Sequence, residues 1–420
     1  MAEPGNSLPQ KRKFGQFPWK YRESFTIALS LVVIGIIIEL FKGGQGIAMP
    51  VWPVNLLMLL LFVAYIIIFH FLVDHPVKKW LSGVPAAVSS ITAFTLLTLV
   101  MGFVRQGENN STGLLSKTGI HHIVSSWPYL LCSLYLLFVL SFTIIRRALP
   151  LTLKNIAFVL NHLGLWILVV SASLGSADAI KLGMTLTGDQ ATFAAFDHKG
   201  NAYNPGFALQ LLRFNIDEYP PELGIIDTRT GSLLNPKQHL MKSAKSAKAD
   251  FGQWTLEVSE FFAGAQKDSA GFYASNAYGN APAAFVSAYH RITGQHVTGW
   301  VSPGSPFIYP KSLELGNYEA VAMTSGRPRK YTSTIRAYTD MGHSEDFSIE
   351  VNKPAKFMGW TIYQTGYDVP MGKWSKRSMV QIVRDPWLPA VYTGIFMILA
   401  GALYMLWTGK SRTNNKNQEL

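Results

Sequence analysis

One histidine, His162, lies inside a long apolar stretch of the chain. Ionisable side chains are costly within a bilayer and are usually retained there for a function. A neutral imidazole can ligate haem iron, and the apolar residues around this one would suit a porphyrin face. Gly164, two residues further on, would let another surface approach closely. A structural histidine with an interhelical hydrogen bond would fit equally well, so the residues alone leave both interpretations open.

Three further histidines are candidate haem or metal ligands. His70 lies near the end of the second apolar segment, and the adjacent His121 and His122 precede the fourth. Neighbouring residues of a helix point about 100° apart, so we do not expect the tandem pair to share one ion. For all three, the alternative is a histidine at the membrane interface without a ligand. Glu39, near the end of the first segment, is expected to reach the membrane interface on the outer side.

Other chemistry is excluded by what the sequence lacks. Cys132 is the single cysteine, and without a C-x-x-C pair this chain alone can neither exchange thiols nor carry a covalently attached c-type haem. The G-x-S-x-G, H-E-x-x-H and phosphate-binding loop motifs are absent as well. The sequence therefore favours binding or transfer of a ligand over hydrolytic catalysis.

Six apolar segments must position these histidines. A run of about 18 or more apolar residues can cross the roughly 30 Å hydrocarbon core as a helix. We predict transmembrane helices at residues 25–41, 54–73, 84–104, 127–145, 156–174 and 387–407. The resulting domains are a basic tail (1–24), five helices with short loops (25–174), an outer domain (175–386), the sixth helix (387–407) and a second tail (408–420).

Basic residues predict the orientation of these helices. Lys and Arg collect in both tails and in the second-to-third and fourth-to-fifth connections, and six helices place all four on one side. Because such residues mark the cytoplasmic side, we expect a multi-pass protein of the bacterial inner membrane with cytoplasmic termini and a large extracytoplasmic domain. The net charge of +12 then has a topological origin, and no nucleic-acid partner is implied.

The outer domain is predicted to be β-rich and sandwich-like. Short runs of aromatic and β-branched residues alternate with Gly, Pro, Asn and Asp, as is typical of strands and turns. Eight such runs are at 207–214, 254–261, 285–292, 318–323, 331–338, 347–351, 360–364 and 378–383. The basic, low-complexity residues 237–250 are interpreted as a surface loop.

Four motifs resemble the ResB (also called CcsB) family of cytochrome c biogenesis proteins. They are Ser-Ser-Trp-Pro at 125–128, Asn-His-Leu-Gly at 161–164, the segment 351–364 ending in Gly-Trp-Thr-Ile-Tyr-Gln, and Arg-Asp-Pro at 384–386. The last two are the most specific. The resemblance spans roughly residues 84–410, so the first two helices are an addition to the family's usual four.

The resemblance implies a role in the system II pathway. Such proteins work with a CcsA-type membrane partner to move haem b outward and present it for covalent attachment to apocytochrome c, with a thioredoxin-like protein as a further expected partner for thiol reduction. Only His162 matches the family's proposed intramembrane haem ligand. The partner's tryptophan-rich haem motif is absent here. This chain would therefore be the half-site or non-catalytic subunit of a cytochrome c haem lyase.

Two other interpretations remain open at this point. In the first, the chain is a non-haem scaffold whose outer domain docks apocytochrome or its thiol reductant while the helices serve as an anchor. In the second, His70 and His162 form a bis-histidine haem site within this one chain. Both residues lie in the cytoplasmic half of their predicted helices, so their depth permits the pairing.

Overall fold

The computed structural model describes residues 13–107, 113, 117–234 and 240–416. The chain divides into two compact units. The helical unit contains the residues up to Ala179 and those from Asp385 onward, and the β domain is Ile180–Arg384. The outermost parts of the predicted tails, including Lys11 and Arg12, lie outside the described residues.

Seven α-helices make up the described part of the helical unit. Their bounds are α1 Tyr21–Phe41, α2 Val54–Leu72, α3 Pro76–Leu81, α4 Val84–Phe103, α5 Trp127–Ala148, α6 Ile156–Gly175 and α7 Leu388–Lys416. All except the short α3 are long and apolar enough to cross a membrane. The prediction of six such helices is therefore confirmed, and the chain is a multi-pass membrane protein.

Helix α5 is the centre of the helical unit. About 56% of its apolar window is buried, whereas no other spanning helix exceeds 28%. Its start is well defined, because Ser126 accepts a hydrogen bond from the Tyr129 amide and Pro128 occupies the first turn. Its buried side chains form two apolar clusters, one with α1 and α4 and one with α6. Helices α1, α4 and α6 thus pack against α5, whereas α7 packs against α6.

Eighteen strands form the described part of the β domain. Their bounds are β1 Ile180–Thr187, β2 Ala195–Phe196, β3 Ala202–Tyr203, β4 Phe207–Glu218, β5 Glu222–Asp227, β6 Met241–Lys242, β7 Lys248–Phe251, β8 Trp254–Lys267, β9 Phe272–Ala274, β10 Ala281–His290, β11 His296–Val301, β12 Leu313–Gly316, β13 Glu319–Met323, β14 Pro328–Thr339, β15 Ser344–Glu350, β16 Ala355–Phe357, β17 Trp360–Tyr367 and β18 Arg377–Arg384. The β-rich prediction is confirmed, and each of the eight predicted runs corresponds to a strand.

The strands form four antiparallel sheets. Their orders are β16-β17-β18-β1-β2-β3, β15-β14-β4, β11-β10-β8-β7 with β9 beside β8, and β12-β13-β5-β6. Leu186 of β1, Ile335 of β14 and Ile382 of β18 share one core, which joins the first two sheets. Leu223 of β5, Leu256 of β8 and Val321 of β13 share another, which joins the last two. The domain therefore contains two sandwiches, where the sequence suggested one.

The first and last strands of the β domain are neighbours. β1 pairs with β18 along its whole length, with Ile180 opposite Arg384. β1 alternates buried and exposed residues, and Leu182, Met184 and Leu186 point into the core. The points at which the chain enters and leaves the domain are thus side by side in one sheet.

Candidate functional site

The histidine predicted to bind haem is held by its own helix. Nδ1 of His162 lies 2.8 Å from the carbonyl oxygen of Phe158, one turn earlier in α6. A carbonyl only accepts hydrogen bonds, so Nδ1 carries the proton and Nε2 of the neutral ring has the free lone pair. None of the described residues hydrogen-bonds to Nε2. The tautomer is therefore the one that a metal-ligating histidine needs.

The orientation of the ring is fixed further by stacking. The His162 ring lies on that of Phe158, with centroids 3.7 Å apart and planes 22° from parallel. The guanidinium of Arg147 lies 4.9 Å from the centroid of the same phenylalanine ring. The Phe158 ring therefore lies between the guanidinium and the imidazole. Together with the hydrogen bond to the Phe158 carbonyl, the stacking gives the His162 ring a defined direction.

Two neighbouring helices hold α6 in place. On one side, a Cβ atom added to Gly164 would lie 2.7 Å from the carbonyl oxygen of Gly394 in α7, so the two backbones are in direct contact. On the other side, the indole nitrogen of Trp166 donates to Ser141 Oγ of α5 at 2.9 Å. The glycine confirms the close approach that the sequence suggested, although the approaching surface is α7.

His70 lies in the last turn of α2 and contacts α5. Its ring centroid is 6.3 Å from that of Phe142, and its backbone carbonyl accepts from Lys78 Nζ at 3.1 Å. Nδ1 is buried and has no hydrogen-bond partner among the described residues. No hydrogen bond or ring contact joins His70 to His162 in the described structure. The bis-histidine pair thus stays a prediction.

The tandem histidines occupy a short 3-10 helix, Ile120–Ser125, and have different partners. Nδ1 of His121 lies 3.3 Å from the Arg105 carbonyl oxygen, whereas Nε2 of His122 lies 3.2 Å from Glu39 Oε1. The helix is broken at His122, whose φ and ψ are −147° and 51°. The side chains of His121 and His122 therefore contact different partners. Across the described residues, no three His, Cys, Asp or Glu side chains are grouped as metal ligands.

Glu39, near the end of α1, is fully buried within the protein, and its position at the outer membrane interface stays a prediction. Its carboxylate accepts from the backbone amides of Gly46 at 2.7 Å and Trp127 at 3.1 Å, in addition to the His122 contact. These donors satisfy the carboxylate inside the protein, which removes the need for water. Glu39 thereby joins the end of α1 to the start of α5.

A second carboxylate with several hydrogen-bond donors, that of Asp178, lies just beyond α6. Asp178 accepts from the Trp52 amide at 2.8 Å, from Asn55 Nδ2 at 2.7 Å and from the Trp387 indole at 2.6 Å. Burial opposes ionisation, but these hydrogen bonds outweigh it and hold the pKa of the carboxyl below its usual value. No sequence pattern pairs Asp178 with these donors, because each of them lies more than a hundred positions away in the chain.

The β domain contains a cleft of about 480 Å³ that sequence reasoning missed. Loops from both sandwiches line it, including the β9–β10, β11–β12 and β17–β18 connections. The two sides meet where the Tyr278 hydroxyl donates to the Trp374 carbonyl at 2.9 Å and the two rings make an edge contact at 5.0 Å. Oδ1 of Asn280 and Nε1 of Trp374 are buried in this region without a hydrogen-bond partner among the described residues.

A model of the ResB-like family matches residues 286–377. The resemblance to the ResB family is confirmed. No curated protein matches the chain. The match indicates a role in cytochrome c biogenesis, and the two additional N-terminal helices are compatible with it.

The ResB-like segment covers part of the cleft and none of the helical unit. It runs from the middle of β10 to the first residue of β18, and so includes the β11–β12 and β17–β18 loops with Trp374. Asn280 precedes the ResB-like segment, and His162 lies well outside it. The haem-ligand prediction for His162 therefore depends on the Asn-His-Leu-Gly motif and on the geometry of its ring.

Proposed function

We propose that this chain is one half of a system II cytochrome c synthase. It moves haem b outward through the membrane and presents it for attachment to apocytochrome c. The ResB-like match supports a role in cytochrome c biogenesis, and the proposal adds the cargo and the reaction. A CcsA-type membrane protein supplies the remaining haem ligands. The only cysteine, Cys132, is buried in α5, so a separate thioredoxin-like protein reduces the apocytochrome thiols.

The proposed location is the bacterial inner membrane, with both termini in the cytoplasm and the β domain outside. The clustering of Lys and Arg supports this orientation. Arg146 and Arg147 lie in the last turn of α5, and Lys78 and Lys79 lie in α3, on the connections predicted to be cytoplasmic. His162, in the second turn of α6, then lies in the cytoplasmic half of the helical unit, where haem would first enter.

The geometry of His162 is the observation that carries the proposal. Its Nδ1 proton is donated to the Phe158 carbonyl, which leaves Nε2 as the ligating atom. Haem iron bound there would have a neutral axial imidazole. The side chain is only partly buried in this chain alone. A face shared with a membrane partner accounts for the incomplete burial of the ring.

The test is the visible spectrum of the chain copurified with its CcsA-type partner. We expect a b-type haem signal in the native complex and its loss in His162→Gly. Imidazole added to the variant should restore the signal, because the free base can occupy the space of the missing ring. His343→Ala, in an exposed turn of the β domain, is the matched control and should keep the native spectrum.

Two results would change the assignment. A b-type signal that survives His162→Gly without imidazole would exclude this residue as a ligand. Haem binding by the chain alone that is lost in His70→Ala would instead favour the bis-histidine site. Both variants are analysed at equal protein recovery, so that a folding defect is distinguished from ligand loss.

A second candidate function is the non-haem scaffold, and the cleft in the β domain favours it. Buried polar atoms without partners are typical of a surface that completes its hydrogen bonds with another molecule. In this alternative the β domain docks apocytochrome or its thiol reductant, and the helices anchor it. A complex that copurifies without haem yet matures cytochrome c would support the scaffold over the haem carrier.

A further inference from the structure

The cleft between the two sandwiches has walls suited to a polypeptide. Aromatic side chains of Tyr367 and Trp374 line it together with the rings of Pro282, Pro306 and Pro370. Flat apolar walls of this kind contact an extended backbone without requiring a particular side chain. Its volume of about 480 Å³ is enough for a few residues of such a segment.

Two polar atoms in the cleft lack partners, and they are of opposite kinds. Asn280 is only 7% exposed, and its Nδ2 donates to the Ser275 carbonyl at 2.9 Å, which identifies the other atom as the acceptor Oδ1. Trp374 Nε1 is a donor. Among the described residues neither has a partner, although leaving a buried polar atom unsatisfied is costly. One free acceptor and one free donor match the N–H and C=O of a peptide backbone.

The cleft also contains an acidic group without an ion pair. Glu218 is the last residue of β4, opposite Pro328 of β14, and the backbone of Gly326 approaches its carboxylate so closely that an added Cβ would lie 2.8 Å from Oε2. No described Lys or Arg forms a salt bridge with it. The nearby Lys373 ammonium attracts the Glu218 carboxylate without forming a salt bridge, and it lies over the Trp374 ring, 5.1 Å from the ring centroid. A basic side chain on an incoming segment would give Glu218 a partner.

We propose that this cleft binds an extended segment of a polypeptide partner, with its backbone bonded to Asn280 and Trp374 and a basic side chain against Glu218. The inference rests on the proposed function only for the partner's identity, which is apocytochrome c. A porphyrin is the less suitable occupant. The lining contains no histidine, and a porphyrin macrocycle has no exposed amide to pair with Asn280.

The test uses the full-length chain in nanodiscs and a fluorescein-labelled apocytochrome peptide. The peptide has 15 residues centred on C-x-x-C-H, with both cysteines replaced by serine and a lysine on each flank. A second peptide carries norleucine in place of the lysines. Fluorescence anisotropy gives the Kd. Trp374→Phe and Asn280→Ala should each weaken binding by about threefold to tenfold, as expected for one lost hydrogen bond.

Glu218→Gln tests the basic side chain separately. It should weaken the lysine peptide and leave the norleucine peptide unchanged, which isolates the charge interaction as in a double-mutant cycle. The matched controls are Trp254→Phe, whose indole already donates to Glu319, and Glu345→Gln on β15. Both controls should retain native affinity. Trp374→Phe should not lower the unfolding temperature, because it removes an unpartnered donor.

Three outcomes would overturn the inference. They are no saturable binding of either peptide, equal binding by the cleft and control variants, or a hemin titration that displaces the peptide and is itself abolished by Trp374→Phe. The result is independent of the haem assignment, because His162→Gly should not change peptide affinity and the cleft variants should keep the b-type spectrum. Failure of one proposal is thus distinguishable from failure of the other.

Discussion

At the scale of single residues, Asp178 joins three segments of the helical unit through its hydrogen bonds. Its two carboxylate oxygens accept three hydrogen bonds from residues that each lie more than a hundred positions away from Asp178 in the chain. Ionised acceptors form stronger hydrogen bonds than neutral ones, particularly where water is partly excluded. The charge on Asp178, and not merely its shape, is therefore expected to stabilise the helical unit.

Asp178→Asn should destabilise the helical unit by about 1–3 kcal/mol, because an amide nitrogen would face at least one donor. Thermal unfolding in detergent, followed by the helical circular dichroism signal, measures the effect. Asp74→Asn is the matched control, since the Asp74 side chain is fully exposed and its ion pair with Lys78 is long, at 3.9 Å. Equal unfolding temperatures for the two variants would contradict the role assigned to Asp178.

The same carboxyl predicts a dependence of stability on pH. Its pKa in the folded protein lies below the ordinary value of 3.8, so the unfolded state binds a proton first as the pH falls. The stabilisation is complete above that value and is lost as the pH decreases through the native pKa. Native protein should therefore lose more stability below about pH 4 than Asp178→Asn does. Parallel pH profiles would show that the group does not contribute.

At the scale of secondary structure, the contact between α6 and α7 depends on two glycines, whose lack of a side chain lets the backbones meet. Gly164 and Gly394 each lie where a Cβ atom would meet the partner's carbonyl oxygen at 2.7 Å. In a membrane, where apolar burial gives little drive for helices to associate, such close packing stabilises their contact. Because His162 lies two residues from Gly164, any separation of the helices would also displace the candidate ligand.

Gly164→Ala should separate α6 from α7 and lower stability by about 1–3 kcal/mol, the usual cost of overpacking. The haem signal of the complex should weaken with it. Gly102→Ala in α4 is the control, because no atom lies within 4 Å of its added Cβ and alanine is the better helix former. Unfolding in detergent compares the two. A harmless Gly164→Ala would mean that the helices can repack around the added methyl group.

The helices were more predictable than the strands. Each spanning helix is defined by an apolar run within one segment, so its bounds could be read to within a few residues, except that α7 continues past the predicted end at 407 to Lys416. The loop predicted at 237–250 is wrong at 241–242 and 248–250, where β6 and β7 lie, whereas 243–247 do connect two strands and 237–239 lie outside the described residues. The many lysines of this region hide the pattern, because edge strands tolerate charge on an unpaired side. The alternation in β1, with Leu182, Met184 and Leu186 buried, was readable and was missed.

In the candidate site, too, local features could be predicted from the sequence and contacts between distant residues could not. His162 could be singled out because one polar residue in an apolar run is visible locally, and its bond to Phe158 follows from the i−4 spacing of a helix. The contacts of Glu39 with His122 and of Asp178 with Trp387 could not be predicted, because nothing local pairs residues so far apart. The same holds for Asn280 and Trp374, which meet only once both sandwiches have formed.

At the scale of the whole molecule, the β domain has the connectivity of an insertion between α6 and α7. Its end strands, β1 and β18, are paired, and both sandwich cores lie within Ile180–Arg384. Domains with adjacent ends and their own cores commonly fold alone. We expect residues 180–384 to give a soluble, cooperatively unfolding β protein.

A shorter version beginning at residue 188 is the control for that experiment. It lacks β1, which lies between β18 and β2 in the six-stranded sheet, so that sheet would be interrupted at its middle. Size-exclusion chromatography and thermal melts compare the two proteins. Aggregation of both would indicate that the domain depends on the helical unit. Equal stability would show that the pairing of β1 with β18 is dispensable.

Glu39 and Asp178 join the first two helices to the rest of the helical unit in both directions. Helix α1 contributes Glu39 to the first residue of α5, and the α6–α7 region returns Asp178 to the start of α2. The dependence is mutual, because each of the two parts contains a carboxylate that accepts hydrogen bonds from the other part. Deletion of α1 and α2 with their loops would leave the Trp127 amide without Glu39, and it would leave Asp178 without its Trp52 and Asn55 donors. The segment that contains α1 and α2 is therefore not a detachable module, because its removal would leave unpaired polar groups in the part that remains.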